Sequence, residues 1–258
     1  HRFSSQILDK RRQHDELASA AIIQQSFLPK TSNLAAIEGV LELHAEMRPA
    51  REVGGDFYDF FMLDADHLAI AIGDICGKGI AASLFMAVVV TVLRTAAHEE
   101  KDVASTIARA NAVLCRDNAS SMFATVFYAV LNLRTGVLEY CNCGHNAPFL
   151  VLPSGETRSF PATGLPLALF ADRAPAMASV TLNHSDILVL FTDGVTEAMN
   201  LSQEELGEAA LIETLASSRG RSVAEIISRI FSTVDSFSQG AEQTDDITCI
   251  AIRRRPSI

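Results

Sequence analysis

The sequence predicts an α+β fold in which antiparallel sheets are flanked by helices. Strand-like segments dominate the middle of the 258-residue chain, and short turns rather than crossover helices join them. A doubly wound parallel sheet would need a helix between successive strands, and those helices are missing. Hydrophobic residues make up 48% of the chain, enough for a sizeable core, which excludes general disorder.

The elements follow in order. Residues 5–28 are good helix formers that stop at Pro29, whose ring disfavours helix in the residue before it. Apolar positions there (Phe3, Ile7, Leu17, Ala21, Leu28) keep a loose 3–4 spacing. Lys10, His14 and Gln24 interrupt that seam, so it predicts no more than a weak homodimer. Residues 40–47 alternate and end before Pro49, which reads as a strand. Residues 57–63 and 68–72 form a hairpin around Asp64-Ala65-Asp66. Two helices follow, 81–97 apolar nearly all round and 103–114 amphipathic. Strands are then expected at 122–133, 137–143 and 148–152, with turns at Arg134-Thr135-Gly136 and Pro153-Ser154-Gly155. Residues 161–176 read as a loop. Strands at 178–182 and 187–191, helices at 203–217 and 222–237, and a strand at 247–252 complete the pattern.

Composition narrows the function. The formal charge of −10 repels nucleic acid phosphates and anionic lipid, so neither is an expected partner. Five cysteines lack any framework spacing, which predicts a reduced, cytoplasmic setting. Cys141, Cys143 and His145 lack the spacing of a zinc site and are explained by strand alternation. The longest apolar stretch, 84–93, is about half of what a membrane span requires. The chain begins at His1 rather than Met, which leads us to expect an excised domain.

Four acidic motifs carry the chemistry: Gly54-Gly55-Asp56 with Asp59, Gly73-Asp74 with Gly77 and Gly79, Thr192-Asp193-Gly194, and Thr244-Asp245-Asp246. Each places a carboxylate at a strand end or tight turn, where glycine lets backbone and ligand approach closely. One such motif is usually only a turn. If all four converge, mutual repulsion makes the cluster unstable unless divalent cations neutralise it. All-oxygen ligands point to Mg2+ or Mn2+. Residues 73–78 depart from a phosphate-binding loop, because the spacing is one residue short and Gly79 replaces the hydroxyl residue.

The ordered set PAREVGGDFYDF (49–60), GDICGKGIAAS (73–83), CGHNAPFL (143–150), TGLPLAL (163–169), FTDGVTEA (191–198) and TDDIT (244–248) resembles the bacterial branch of the PP2C-type protein phosphatases. This branch is typified by the stage II sporulation phosphatase and by stress-response phosphatases acting on anti-sigma-factor antagonists. The resemblance implies a four-layer α-β-β-α sandwich with a centre of two Mn2+ or Mg2+ ions, or three, at one end of the sheets. By motif it makes Asp74 the bridging ligand, aided by the Ile75 carbonyl, with Asp193 and Asp245 on one metal and Asp56 on the other. Asp246 would stand behind the ligands and orient them. Arg48 and Arg51 are the candidates for gripping phosphate, and His145 stays open between structural positioning and leaving-group protonation.

The implied reaction is attack of metal-activated water on a phosphoserine or phosphothreonine, with no covalent phosphoenzyme. The implied substrate is a small phosphoprotein, a STAS-type antagonist. Residues 1–30 would be a linker from an upstream sensor or HAMP-type module, the only route to a membrane, and 31–258 the phosphatase domain. The helices after Gly79 match a regulatory pair of this branch. Two rivals are a phosphatase fold kept only for docking and a hydrolase of small phosphoesters. Metal titration tests the first, and an enclosed base-stacking pocket would mark the second.

Overall fold

The computed structural model describes residues 2–29, 37, 39–100, 102–116, 118–173 and 175–255, with the backbone alone for 2–14. A long helix α1 (Arg2–Phe27) leads into β1 (Leu41–Arg48), β2 (Phe57–Met62) and β3 (His67–Ile75). Next come α2 (Ile80–Glu99), α3 (Val103–Arg116), β4 (Ala124–Asn132), β5 (Val137–Cys143), β6 (Phe149–Val151) and β7 (Thr157–Ser159). The chain closes with β8 (Ala178–Thr181), β9 (Ile187–Phe191), α4 (Asp193–Thr196), α5 (Gly207–Ala216), α6 (Val223–Ser238) and β10 (Ile247–Arg254).

Two five-stranded antiparallel sheets form, in the orders β1-β10-β9-β6-β7 and β2-β3-β4-β5-β8. Strand alternation sorts their side chains into separate cores. Leu68, Ile70 and Ile72 of β3 meet Leu188, Leu190, Ile250 and Ile252 between the sheets. Ala69 and Ala71 face the other way, against Met86, Val89 and Leu93 of α2. On the far side, Val189 and Phe191 pack against Ile227 and Ile230 of α6. The result is the expected α-β-β-α sandwich. Gly73 is required by close packing, since a Cβ there would lie 2.5 Å from the Phe57 ring and 2.6 Å from the Thr125 carbonyl.

Several elements differ from the sequence expectation. Strand β3 runs on through Asp74, because Asp74 and Ile75 still pair with Thr125 and Ala124 of β4. The short α4 after β9 was not expected, and α5 starts at Gly207 rather than at 203. Helix α2 is, by length and composition, apolar enough to cross a membrane, contrary to the sequence estimate. Its face bearing Ala82, Met86, Val90 and Leu93 is buried, while Ile80, Leu84 and Val88 are exposed. All five cysteines are unpaired, and Cys141 and Cys143 lie in the core as strand residues.

Candidate metal centre

Five aspartates gather at one end of the space between the sheets. The pleat that turns Ile70 and Ile72 inward carries Asp74 to the end of the same row. Asp193 opens α4 directly after β9, Asp245 and Asp246 precede β10, and Asp56 precedes β2. Burial and neighbouring carboxylates together raise the proton affinity of Asp56, Asp74 and Asp193. Burial raises the Asp56 carboxyl well above the usual range, and the Asp74 charge adds to that. Asp74 is pushed up to about 7 by burial first, then by Asp193, Asp245 and Asp246. Asp193 is raised by burial and by Asp245.

Threonines and backbone amides hold these groups in place. Asp56 is 1% exposed, and its Oδ2 accepts from the Thr192 hydroxyl at 2.7 Å and the Thr248 hydroxyl at 2.6 Å. Asp246 accepts from the Ala50 and Gly55 amides, each at 2.8 Å, and so fastens the loop bearing Asp56. That contact excludes any side chain at residue 54, where a Cβ would sit 1.9 Å from Asp246 Oδ2. A Cβ at Gly55 would stand 3.0 Å from the Ile75 carbonyl and 3.2 Å from Asp74 Oδ1, so this glycine keeps open the space beside those two oxygens. From the other side, Gln24 of α1 grips the backbone of Gly54. Lys78 Nζ lies 2.6 Å from Asp245 Oδ2 and also bonds the Thr244 carbonyl.

The donor set fits hard divalent cations. Several repelling carboxylates, a carbonyl and glycine-cleared space are what Mg2+ or Mn2+ requires. Among the described residues, no three His, Cys, Asp or Glu side chains close on a single point. An ion that keeps several of its waters needs no such cage.

The remaining candidates separate. Arg51 is exposed and lines a small cleft with Gly54, Gly55, Lys78 and Asp245. Arg48 turns away, pairing with Asp235 of α6 at 2.8 Å and lying over the Phe231 ring. Asp59, although in the first acidic motif, pairs with Arg94 of α2 outside the cluster. His145 is buried, with Nδ1 2.9 Å from the Thr125 hydroxyl. Its Nε2 lies beside the Phe191 carbonyl without a well-formed hydrogen bond. Burial pushes its pKa down to about 4, so the ring is neutral at pH 7.

A family model described as stage II sporulation protein E (SpoIIE) matches residues 64–255. The chain belongs to the SpoIIE family. Phosphoserine phosphatase RsbU of Bacillus subtilis is 30% identical over 245 residues, covering 93% of this chain and 70% of RsbU. Protein IcfG of Synechocystis sp. is 31% identical over 266 residues, covering 93% of this chain but 41% of IcfG, so the chain spans less than half of that relative. The SiaA-PP2C domain of Pseudomonas aeruginosa has the same fold, with TM-score 0.82 at 20% identity over 95% of this chain and 98% of that one. The catalytic domain of PstP, solved with two manganese ions, aligns at TM-score 0.61 and 15% identity over 84% and 99%.

This SpoIIE-type PP2C phosphatase domain thus has the fold that its motifs imply, and PP2C-fold relatives bind manganese or magnesium. Sequence reasoning missed four supporting residues. Thr192 and Thr248 stood inside quoted motifs, and their position beside an aspartate was the available signal. Lys78 had been weighed only as part of a phosphate loop. Gln24 had been read as an interruption in a dimer seam, and that reading is corrected by its burial against Gly54. The side chains of Lys10 and His14 lie outside the described residues.

Proposed function

We propose that this domain removes phosphate from phosphoserine or phosphothreonine on a small regulatory phosphoprotein, a STAS-type anti-sigma-factor antagonist. The observation that carries the reading is the five-aspartate cluster, set on a frame 30% identical to a phosphoserine phosphatase. Asp74, aided by the Ile75 carbonyl, would help hold both ions, with Asp193 and Asp245 on one and Asp56 on the other. When bound, such ions lower the pKa of water and neutralise phosphoryl oxygens.

The chain's own groups do the rest. Thr192 and Thr248 fix the Asp56 carboxylate, and Asp246 fastens the loop that bears it. Arg51, exposed at the mouth of the cleft, is positioned to meet an incoming phosphate, while Arg48 is committed to α6. No side-chain nucleophile is needed, and burial pushes the Cys143 thiol up to about 12, which disqualifies it. In the same reading, residues 1–30 link an upstream sensor module to a cytoplasmic phosphatase and support a weak homodimer.

The test measures phosphate release, with Mn2+ present, from a phosphorylated STAS domain, a phosphoserine peptide and a phosphotyrosine peptide at matched concentrations. The STAS domain should react fastest and the phosphotyrosine peptide least. A preference for phosphotyrosine would contradict the proposal.

A further inference from the structure

The end of the sandwich opposite the aspartates holds a cavity of about 390 Å³, lined by Val40, Leu133, Arg134, His184, Arg254 and Arg255 among others. Its charge runs against that of the protein. The chain carries −10 overall, yet among the described residues three arginines line this cavity and Asp66 is the one carboxylate that opposes them. Arg134 takes that carboxylate at 3.1 Å. The neighbouring Arg253 is already paired with Glu42.

Arg254 is the unusual member. It is 8% exposed, and among the described residues no carboxylate pairs with it. Its Nη2 donates to the Leu133 and Arg134 carbonyls, and its buried Nε has no acceptor. Carbonyl contacts satisfy N–H groups but leave the positive charge without a counter-charge, and a buried uncompensated charge is destabilising. The turn is shaped around this guanidinium. Gly136 (φ +78) abuts it so closely that a Cβ would lie 2.6 Å from Nη1. Beside it, His184 Nδ1 donates to the Arg255 carbonyl at 2.8 Å and steadies the backbone at the rim.

We infer that this cavity binds a small organic anion, its carboxylate or phosphate head held by Arg134 and Arg255 over the buried charge of Arg254 and its apolar body against Val40 and Leu133. The planar arginine fork is suited to such oxyanions. The mixed lining favours an amphipathic ligand over a bare ion, because Val40 is 40% exposed and gains from being covered. The site is independent of the metal centre and of the reaction proposed for it.

Benzoate serves as the probe, with neutral benzamide as its control. Scanning calorimetry at constant ionic strength compares the full chain, the double variant Arg134→Gln with Arg255→Gln, and Asp193→Asn. Benzoate at tenfold over its Kd should raise Tm by about 2–4 °C, the shift expected for a ligand that binds only the native state of a chain this size. Benzamide should have no effect, the double variant should lose the shift, and Asp193→Asn should keep it. Loss in Asp193→Asn alone would place the anion at the metal centre and overturn the inference. So would an equal response to benzamide, a shift retained in the double variant, or no shift at 50-fold excess over the protein and above about 20 mM, a ceiling set by millimolar binding being already weak.

Discussion

Gln24 holds Gly54 by both of its backbone groups. The side-chain Nε2 donates to the Gly54 carbonyl at 2.7 Å, and the Gly54 amide donates to Oε1 at 3.1 Å. The N-terminal helix is thereby coupled, two residues away, to the buried Asp56. Gln24→Ala would leave two buried backbone groups without partners, a loss of about 1–3 kcal/mol. We expect the fold to persist by circular dichroism while the Mn2+ concentration for half-maximal activity rises about tenfold. Unchanged metal dependence would show that this contact only anchors the helix.

Asp74 and Asp193 answer for the cluster itself. Asp74→Asn and Asp193→Asn should each lower kcat by about 10²-fold or more, the scale on which a catalytic electrostatic group is lost. Asp59→Asn gives the contrast, since Asp59 serves Arg94 and α2. It should lower thermal stability and leave kcat within a few-fold.

Lys78 places a positive charge 2.6 Å from Asp245 and draws down the proton affinity of Asp193. A cation there opposes the entry of another. Lys78→Met should therefore lower the half-saturating Mn2+ concentration several-fold, read by calorimetric titration. Weaker binding in the variant would mean that Lys78 orients Asp245 more than it competes with metal.

His145 makes stability depend on pH. Its folded pKa of about 4 lies below the ordinary 6.5. Between those values the unfolded chain takes up a proton that the folded chain refuses, so this group's contribution is full above pH 6.5 and falls as pH drops toward 4. The shift corresponds to about 3 kcal/mol at most. Urea unfolding at pH 7.5 and pH 5 should show a smaller loss on acidification in His145→Gln than in the parent. Equal losses would place His145 in a wetter site than its burial indicates.

Much of this architecture was legible in the sequence because strand patterning and glycine-flanked aspartates are local signals. Short continuous apolar runs at 68–72 and 187–191 marked the central strands, and D-G and G-D pairs marked their ends. What stayed hidden depends on contacts distant in the chain. Nothing near Asp56 announces that Thr192 and Thr248 will bond its carboxylate, because Thr192 follows β9 and Thr248 lies on β10, both strands of the other sheet. Arg48 and Arg51 are indistinguishable in sequence, and only the packing of α6 against β1 commits Arg48 to Asp235. Gln24 misled because a polar residue in a helix seam reads as an interruption until its partner is known. Asp74 was expected just past a strand, and its pairing with Thr125 keeps it within β3.

The central claim is that these aspartates bind the cations on which phosphate release depends. Its most direct test is to titrate Mn2+ into EDTA-stripped protein while following phosphate release from a phosphoserine peptide, with Asp74→Asn measured in parallel. Activity should be absent without metal and rise to saturation with added Mn2+, and Asp74→Asn should stay near baseline at every concentration. Full activity in the presence of EDTA, or an Asp74→Asn curve that overlays the parent, would contradict the account.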